Sequence, residues 1–169
     1  VSVDAYKVDK AQKDVTDKHS LYSAQVWMRS NTITPYPNQK LLVCEYIGRM
    51  DTMEQNDIVT MGMCLLYNAE CCPEAGTGET VSNFIKYKLR RYLMLDPTNM
   101  NSRKLVNPNN NDYGIVIGDG DKKYNGLRML KEFIYEPLSY TDEGNPIRRL
   151  KFIGSVRLLL ECQRFTAEG

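Results

Sequence analysis

The sequence lacks the residues that most often carry catalysis. It has a single histidine, His19, and histidine is the side chain that most often transfers protons near neutral pH. Asp, Glu or Lys can serve as the base instead, but no constellation of these residues stands out along the chain. We therefore expect a non-enzymatic protein that needs no cofactor.

Paired cysteine motifs are also missing. The chain has 5 cysteines, an odd number, and none of them form a CxxC pair. Disulfide frameworks usually use an even number of regularly spaced cysteines, so we expect reduced thiols and a cytosolic setting. Cys64, Cys71, Cys72 and His19 could together hold zinc, but their spacing lacks a metal-knuckle pattern. We predict no metal site.

Long apolar runs and a strong overall charge are absent as well. No run approaches the roughly 18 apolar residues needed to cross a bilayer. The apolar stretch at 61–67 instead suits a buried strand. The formal net charge is +1, so any affinity for phosphate or for an anionic membrane must come from local clusters of cations.

Such clusters are present, and they are the main functional signal of the sequence. Each could also be the ordinary solvated face of a strand or helix. Because several cationic clusters in a nearly neutral chain imply that acidic residues gather elsewhere, we predict contacts with an anionic membrane or with the phosphates of a nucleic acid. The predicted contact residues are Lys86, Lys88, Arg90, Arg91, Lys122, Lys123, Arg148, Arg149 and Lys151.

Hydrophobic periodicity gives a coarse secondary structure. Residues 21–29 alternate between apolar and polar, which predicts a strand. Asn38 can cap a helix over 40–50. The apolar stretch 56–68 is rich in β-forming residues, which predicts another strand.

The second half of the chain is assigned in the same way. The stretch 81–95 fits a strand better than a helix, because a helix would bury Lys88. The segment 124–138 predicts a helix that ends before Pro137. A turn follows at 140–149, and 150–165 alternates like a final pair of strands.

These elements predict a fold of the α+β class, with a mainly antiparallel sheet packed against one or two helices. Residues 1–18 interleave charged residues with few apolar ones, which predicts a flexible charged arm. Residues 19–169 are expected to form a single globular domain. The Asn-rich stretch 96–114 is a long polar loop, and GDGDKK at 118–123 is a turn rather than a calcium loop.

The order of these segments resembles the matrix proteins of rhabdoviruses. SAQVWMRSN at 23–31 resembles the first core strand of the vesiculovirus members, and the segment 35–51 lies where that family has its first helix. FIKYKLRRYLML at 84–95 resembles a strand of the lyssavirus members. FIGSVRLLLECQRF at 152–165 is similar to a late strand of the family. The chain length suits the shorter, plant-infecting members.

The resemblance implies a structural protein of the virion. Such a protein self-associates, condenses the ribonucleoprotein nucleocapsid and links it to the inner leaflet of the envelope during assembly and budding. The implied partners are a second copy, the viral nucleocapsid, the anionic inner leaflet and the tail of the viral glycoprotein. The implied locations are the virion, the host cytoplasm and the inner face of host membranes. By analogy with the family, self-association would involve either the arm before His19 or the Pro-containing stretch 33–37, in which the predicted residues are Thr34, Pro35, Tyr36 and Pro37.

Two other functions fit parts of the sequence. A small viral coat or nucleic-acid-binding protein would also use basic elements and polar loops, although the chain has no Arg-rich arm. An enzyme would have to build its site from the loop 96–114 and the turn at 118–121. Salt-sensitive nucleic-acid binding would favour the first of these alternatives, and a bound metal or small molecule would favour the second.

Overall fold

The computed structural model describes residues 2–4, 21–30, 39–74, 78–96, 108, 112–115 and 120–167. Within them the fold is α+β, as predicted. The strands are β1 (Ser2–Asp4), β2 (Tyr22–Ser30), β3 (Gln39–Gly48), β4 (Cys72–Pro73), β5 (Pro137–Tyr140) and β6 (Pro146–Arg148). The α-helices are α1 (Met53–Tyr67), α2 (Gly78–Lys86), α3 (Gly120–Tyr135) and α4 (Val156–Ala167), with short 3-10 helices at Arg90–Tyr92 and Arg149–Phe152.

The first four strands form one sheet in the order β3-β2-β1-β4. β1 pairs antiparallel with β2, placing Val3 opposite Ala24, and parallel with β4, placing Val3 opposite Pro73. Residues Ser2–Asp4 are therefore part of a sheet, whereas the sequence predicted a flexible arm over residues 1–18. The rest of that arm lies outside the described residues.

The chain divides into two compact units, although the sequence suggested one domain over residues 19–169. Unit 1 consists of Val1–Val26 and Cys44–Ile117. Unit 2 consists of Trp27–Val43 and Gly118–Gly169.

β2 is the strand that its alternating sequence predicts. Tyr22, Ala24 and Val26 are fully buried in the core of unit 1, because successive side chains of a strand point to opposite faces. Met28 was predicted on the same face, but it is partly exposed. The buried face of β2 thus covers the first three of the four predicted positions.

The helix α1 replaces the strand predicted over 56–68, so that prediction was wrong. Thr52 caps the helix: its hydroxyl accepts from the Gln55 amide, and the Gln55 side chain accepts from the Thr52 amide. This reciprocal capping box satisfies amides that a helix start leaves without partners. Asn68, in the left-handed conformation, ends the helix.

The helix predicted over 40–50 was also wrong, because these residues form β3. Its Val43, Tyr46 and Ile47 favour a strand, and β3 lies beside β2 in the sheet. The Gln25 amide of β2 donates to the Glu45 carboxylate of β3 over 2.7 Å. Pairing with a neighbouring strand therefore outweighed the approximate helical spacing of the apolar residues.

The strand predicted over 81–95 is instead α2 followed by a 3-10 helix. The buried residues of α2 are Thr80, Val81, Asn83 and Phe84, which lie at helical spacing. The prediction rejected a helix because Lys88 would be buried, but α2 ends at Lys86 and leaves Lys88 exposed. The objection to a helix therefore did not apply.

Unit 2 contains the predicted helix α3, which ends before Pro137, and the predicted turn. That turn joins β5 to β6, and the Thr141 amide donates to the Asn145 carbonyl oxygen over 2.9 Å. GDGDKK was predicted as a turn, but its residues 120–123 form the first turn of α3.

The final pair of strands was wrongly predicted, because 149–152 form a 3-10 helix and 156–167 form α4. Ser155 begins α4 by accepting a 3.1 Å hydrogen bond from the Leu158 amide, the interaction expected of an N-cap serine. Three of the four segments that resemble rhabdovirus matrix proteins thus differ from the secondary structure that the resemblance implied. Residues 23–30 of the remaining segment lie in β2 and so keep the implied strand.

Candidate interface for anionic ligands

The first predicted cationic cluster lies where α2 ends and the 3-10 helix begins. Lys86, in the last turn of α2, forms a 2.7 Å ion pair with Glu54 of α1. The Tyr87 hydroxyl donates to the same carboxylate over 2.5 Å. These hydrogen bonds lower the pKa of Glu54, and the bond to Glu54 raises that of Lys86. Lys86 therefore has an internal partner.

Arg90 is also bound within the unit. Its Nε donates to the Tyr113 hydroxyl over 2.6 Å, and its Nη2 donates to the Pro108 carbonyl oxygen. The guanidinium lies 5.6 Å from the centroid of the Tyr113 ring. Arg90 thus ties the 3-10 helix to residues 108 and 113, which makes it a structural residue.

Lys88 and Arg91 differ from Lys86 and Arg90. All four are exposed, but the structure gives neither Lys88 nor Arg91 an ion pair with a carboxylate in the described residues. The Arg91 guanidinium lies 4.9 Å from the centroid of the Tyr92 ring and donates to the Tyr92 hydroxyl over 3.2 Å. Both positive charges therefore remain open to an external anion.

The position of Lys88 is fixed by the end of α2. Its φ is 59°, in the left-handed region. The Leu89 amide donates to the Phe84 carbonyl and the Lys88 amide donates to the Ile85 carbonyl, over 2.8 and 2.9 Å. This is the Schellman pattern of helix ends, in which glycine usually occupies the position of Lys88. The lysine is held on an ordered corner at some cost in backbone strain.

The predicted cluster of Arg148, Arg149 and Lys151, in unit 2, is divided in the same way. Arg149 is buried: it pairs with Glu136, its Nε donates to the Phe133 carbonyl over 3.2 Å, and it stacks 4.2 Å from the Phe133 ring centroid. Arg148 and Lys151 are exposed. Arg149 is therefore a structural residue, and its two neighbours are available at the surface.

Two predicted sites cannot be placed in full. Lys122 and Lys123 lie in the first turn of α3, and their side chains are outside the described part. Thr34, Pro35, Tyr36 and Pro37, predicted for self-association, also fall outside the described residues.

A buried polar cluster in unit 1 was missed by sequence reasoning. The Asp57 carboxylate of α1 accepts hydrogen bonds from the Tyr22 hydroxyl over 2.9 Å and from the Asn83 amide over 2.7 Å. The Tyr22 hydroxyl is also hydrogen-bonded to the Thr60 hydroxyl over 2.8 Å. Thr80 is buried beside Asp57, and its hydroxyl lies close enough to lower the pKa of that carboxyl. The hydroxyl forms no hydrogen bond within the usual distance and angle in the described residues.

Burial controls the protonation of this cluster. It raises the pKa of Asp57, even though the donors Asn83 and Tyr22 act in the opposite direction. Burial, together with the Asp57 charge, also raises the pKa of Tyr22 far above its ordinary value. The capping box at Thr52 was the sequence signal that could have placed Asp57 and Thr60 on one face of a helix.

The free thiols that the structure describes are Cys44, Cys64, Cys71 and Cys72. A hydrogen bond to Cys64 and burial raise the pKa of Cys71. Among the described residues no group of three or more His, Cys, Asp or Glu side chains could hold a metal ion. His19, considered as a zinc ligand with three of these cysteines, is outside that part.

A search of the described helices finds none that is long and apolar enough to cross a membrane. Comparison of the whole chain with protein-family models, with curated proteins and with solved structures yields no match in any of the three.

Proposed function

We propose that this protein is a non-enzymatic structural protein of the viral matrix type, which binds an anionic membrane surface and self-associates during virion assembly. In this proposal it also condenses the nucleocapsid and links it to the inner leaflet of the envelope. The support is the sequence resemblance of four segments, of which residues 23–30 also keep the strand that the resemblance implies, together with the cationic corner formed by Lys88 and Arg91.

The observation that carries the proposal is the division of the first cationic cluster. All four residues are exposed, but Lys86 pairs with Glu54 and Arg90 donates to Tyr113, whereas Lys88 and Arg91 have no carboxylate partner in the described residues. Each cation near an anionic leaflet contributes about 1 kcal/mol of binding. The pair could therefore supply about 2 kcal/mol, and further contacts would be needed for stable attachment.

Flotation with liposomes tests this function. The protein is mixed with neutral or anionic vesicles at low and at high salt, beside a variant carrying Lys88→Ser and Arg91→Ser. The matched control carries Lys40→Ser and Arg49→Ser, which removes two exposed cations outside all the predicted clusters. We expect salt-sensitive flotation with anionic vesicles, reduced about thirtyfold in the first variant and by much less in the control.

Two results would contradict the proposal. One is the absence of flotation in every condition from a protein that also stays monomeric at high concentration. The other is an equal loss of flotation in the two variants, because this would assign binding to overall charge rather than to the corner at Lys88 and Arg91.

A further inference from the structure

The outer face of α3 carries a line of side chains in which two cations lie between two tyrosines. Tyr124, Arg128, Lys131 and Tyr135 are spaced by four, three and four residues, which places them along one face of a helix. All four are exposed; the tyrosines have 71% and 47% of their surface accessible. Between the two tyrosines the helix rises by about 16 Å.

Arg148 of β6 extends this line beyond the end of α3. Its guanidinium lies 5.6 Å from the centroid of the Tyr135 ring, and its Nη1 donates to the Tyr135 carbonyl oxygen over 3.1 Å. Arg128 forms a 2.7 Å ion pair with Glu132 on the helix surface. Lys131 and Arg148 have no ion pair with a carboxylate in the described residues. The line therefore carries net positive charge.

We propose that this face of α3, with Arg148, is a binding site for single-stranded nucleic acid. Exposed tyrosine rings give bases a surface to stack on, and cations between the rings can contact phosphates. Such a site tolerates any sequence, because every base has a flat face. The ligand class is a flexible single strand, since a rigid duplex keeps its bases stacked inside.

The chemistry of the line favours a nucleic acid over a lipid surface. A helix that lies in a membrane interface buries an apolar face of leucine, phenylalanine or tryptophan. The four residues of the line include no aliphatic side chain. Leu127, three residues after Tyr124, is half-buried, and the exposed Met129 lies one position beyond Arg128 and so points off the line. Liposome flotation that depends on this face would assign it to a membrane instead.

This inference does not depend on the lipid contact proposed above. It concerns residues of unit 2, whereas Lys88 and Arg91 belong to unit 1. A protein that fails to float with liposomes could still bind nucleic acid through α3. Conversely, a protein that binds no nucleic acid through α3 could still float with anionic liposomes.

Fluorescence anisotropy with labelled oligouridylate and oligodeoxythymidylate of about 12 nucleotides, a length within known single-strand site sizes, tests the site. The variant Tyr124→Ala with Tyr135→Ala removes the rings, and its control is Tyr140→Ala, at an exposed tyrosine of β5. The variant Arg128→Ser with Lys131→Ser removes charge, and its control is again Lys40→Ser with Arg49→Ser. Circular dichroism verifies that each variant keeps its helix.

We expect the intact protein to bind, with an affinity that falls as salt rises. Loss of both rings should weaken binding at least about twentyfold, because each stacked base contributes about fivefold or more. Loss of the two cations should reduce the salt slope by about 1.4, the value for two phosphate contacts on a single strand. Comparing the two oligonucleotides shows whether RNA or DNA is preferred, and either preference supports the site.

Three results would overturn the proposal. The first is no binding of either oligonucleotide at low salt. The second is binding that the two-tyrosine variant and the Tyr140→Ala control retain equally. The third is liposome flotation that depends on Tyr124 and Tyr135 while nucleic-acid binding does not, which would assign this face to a membrane.

Discussion

The Tyr22 hydroxyl donates a 2.9 Å hydrogen bond to the Asp57 carboxylate, which lies 35 residues further along the chain. Tyr22 is on β2 and Asp57 is on α1, and both are buried. A buried carboxyl is costly unless its oxygens are hydrogen-bonded. This contact therefore joins the sheet of unit 1 to its long helix at a defined position, and it leads to the first two predictions.

Changing Tyr22 to Phe should destabilise the protein by about 1 to 3 kcal/mol, because the Asp57 and Thr60 oxygens would lose a partner while remaining buried. The midpoint of urea denaturation measures this effect. The control is Tyr92→Phe. The Tyr92 hydroxyl accepts from the exposed Arg91, and we expect its removal to change the free energy of unfolding by less than about 0.5 kcal/mol. Equal effects would show that the buried contact has no special importance.

Asp57 should make stability fall as the pH rises. Burial raises its pKa in the folded state above the ordinary value of 3.8, so the folded protein binds the proton more tightly than the unfolded chain. As the pH rises from about the ordinary pKa to the raised one, the contribution of Asp57 to the free energy of unfolding decreases. Above the raised pKa this contribution is constant.

Asp57→Asn removes this titration, so denaturation curves measured across that pH range should lose the corresponding slope. The control is Asp51→Asn at an exposed position, which leaves the buried carboxyl and its slope in place. A slope that persists in Asp57→Asn would assign the pH dependence to other groups.

Lys88 should be a position where glycine is more stable than the native residue. Its left-handed φ of 59° costs a residue with a Cβ about 1 kcal/mol or more, so Lys88→Gly should stabilise the protein by about 0.5 to 1 kcal/mol in urea denaturation. Lys88→Ala keeps the Cβ and should give no such gain. Both variants should float less with anionic liposomes, and retained flotation would count against the cationic corner.

Arg149 should not tolerate lysine, whereas its neighbour Arg148 should. Lysine cannot bond both Glu136 and the Phe133 carbonyl while stacking on the Phe133 ring, because it lacks the planar fork of donors. We expect Arg149→Lys to cost about 1 to 3 kcal/mol in thermal or urea denaturation and Arg148→Lys about 0.5 kcal/mol or less. Similar losses in both variants would contradict the structural role of Arg149.

Some elements could be predicted because local sequence and final environment agree. β2 alternates strictly, and the buried Tyr22, Ala24 and Val26 follow that alternation. The helix α3 ends before Pro137, which has no amide hydrogen to donate and disfavours a helical conformation in the residue before it. The α+β class could be predicted from elements such as β2 and α3, even though other elements were assigned wrongly.

Other elements depended on contacts that are distant in sequence. The uninterrupted apolar stretch within α1 fits a buried strand and a helix equally well, and the capping box at Thr52 that decides between them was overlooked. β3 forms beside β2, which its own periodicity does not reveal. The predicted cationic clusters include Lys88 and Arg91, which have no carboxylate partner in the described residues, but also Arg90 and Arg149, which have internal partners. Charge in a sequence does not show which guanidinium has such a partner.

The polar cluster of unit 1 also has a consequence for the evolution of this chain. Tyr22, Asp57 and Asn83 come from three separate segments, and the loss of any one would remove a hydrogen bond from another buried group. Relatives should therefore keep these residues together or replace them together with apolar ones, so that the positions covary. An aspartate matching Asp57 without its tyrosine or asparagine would indicate a differently built core.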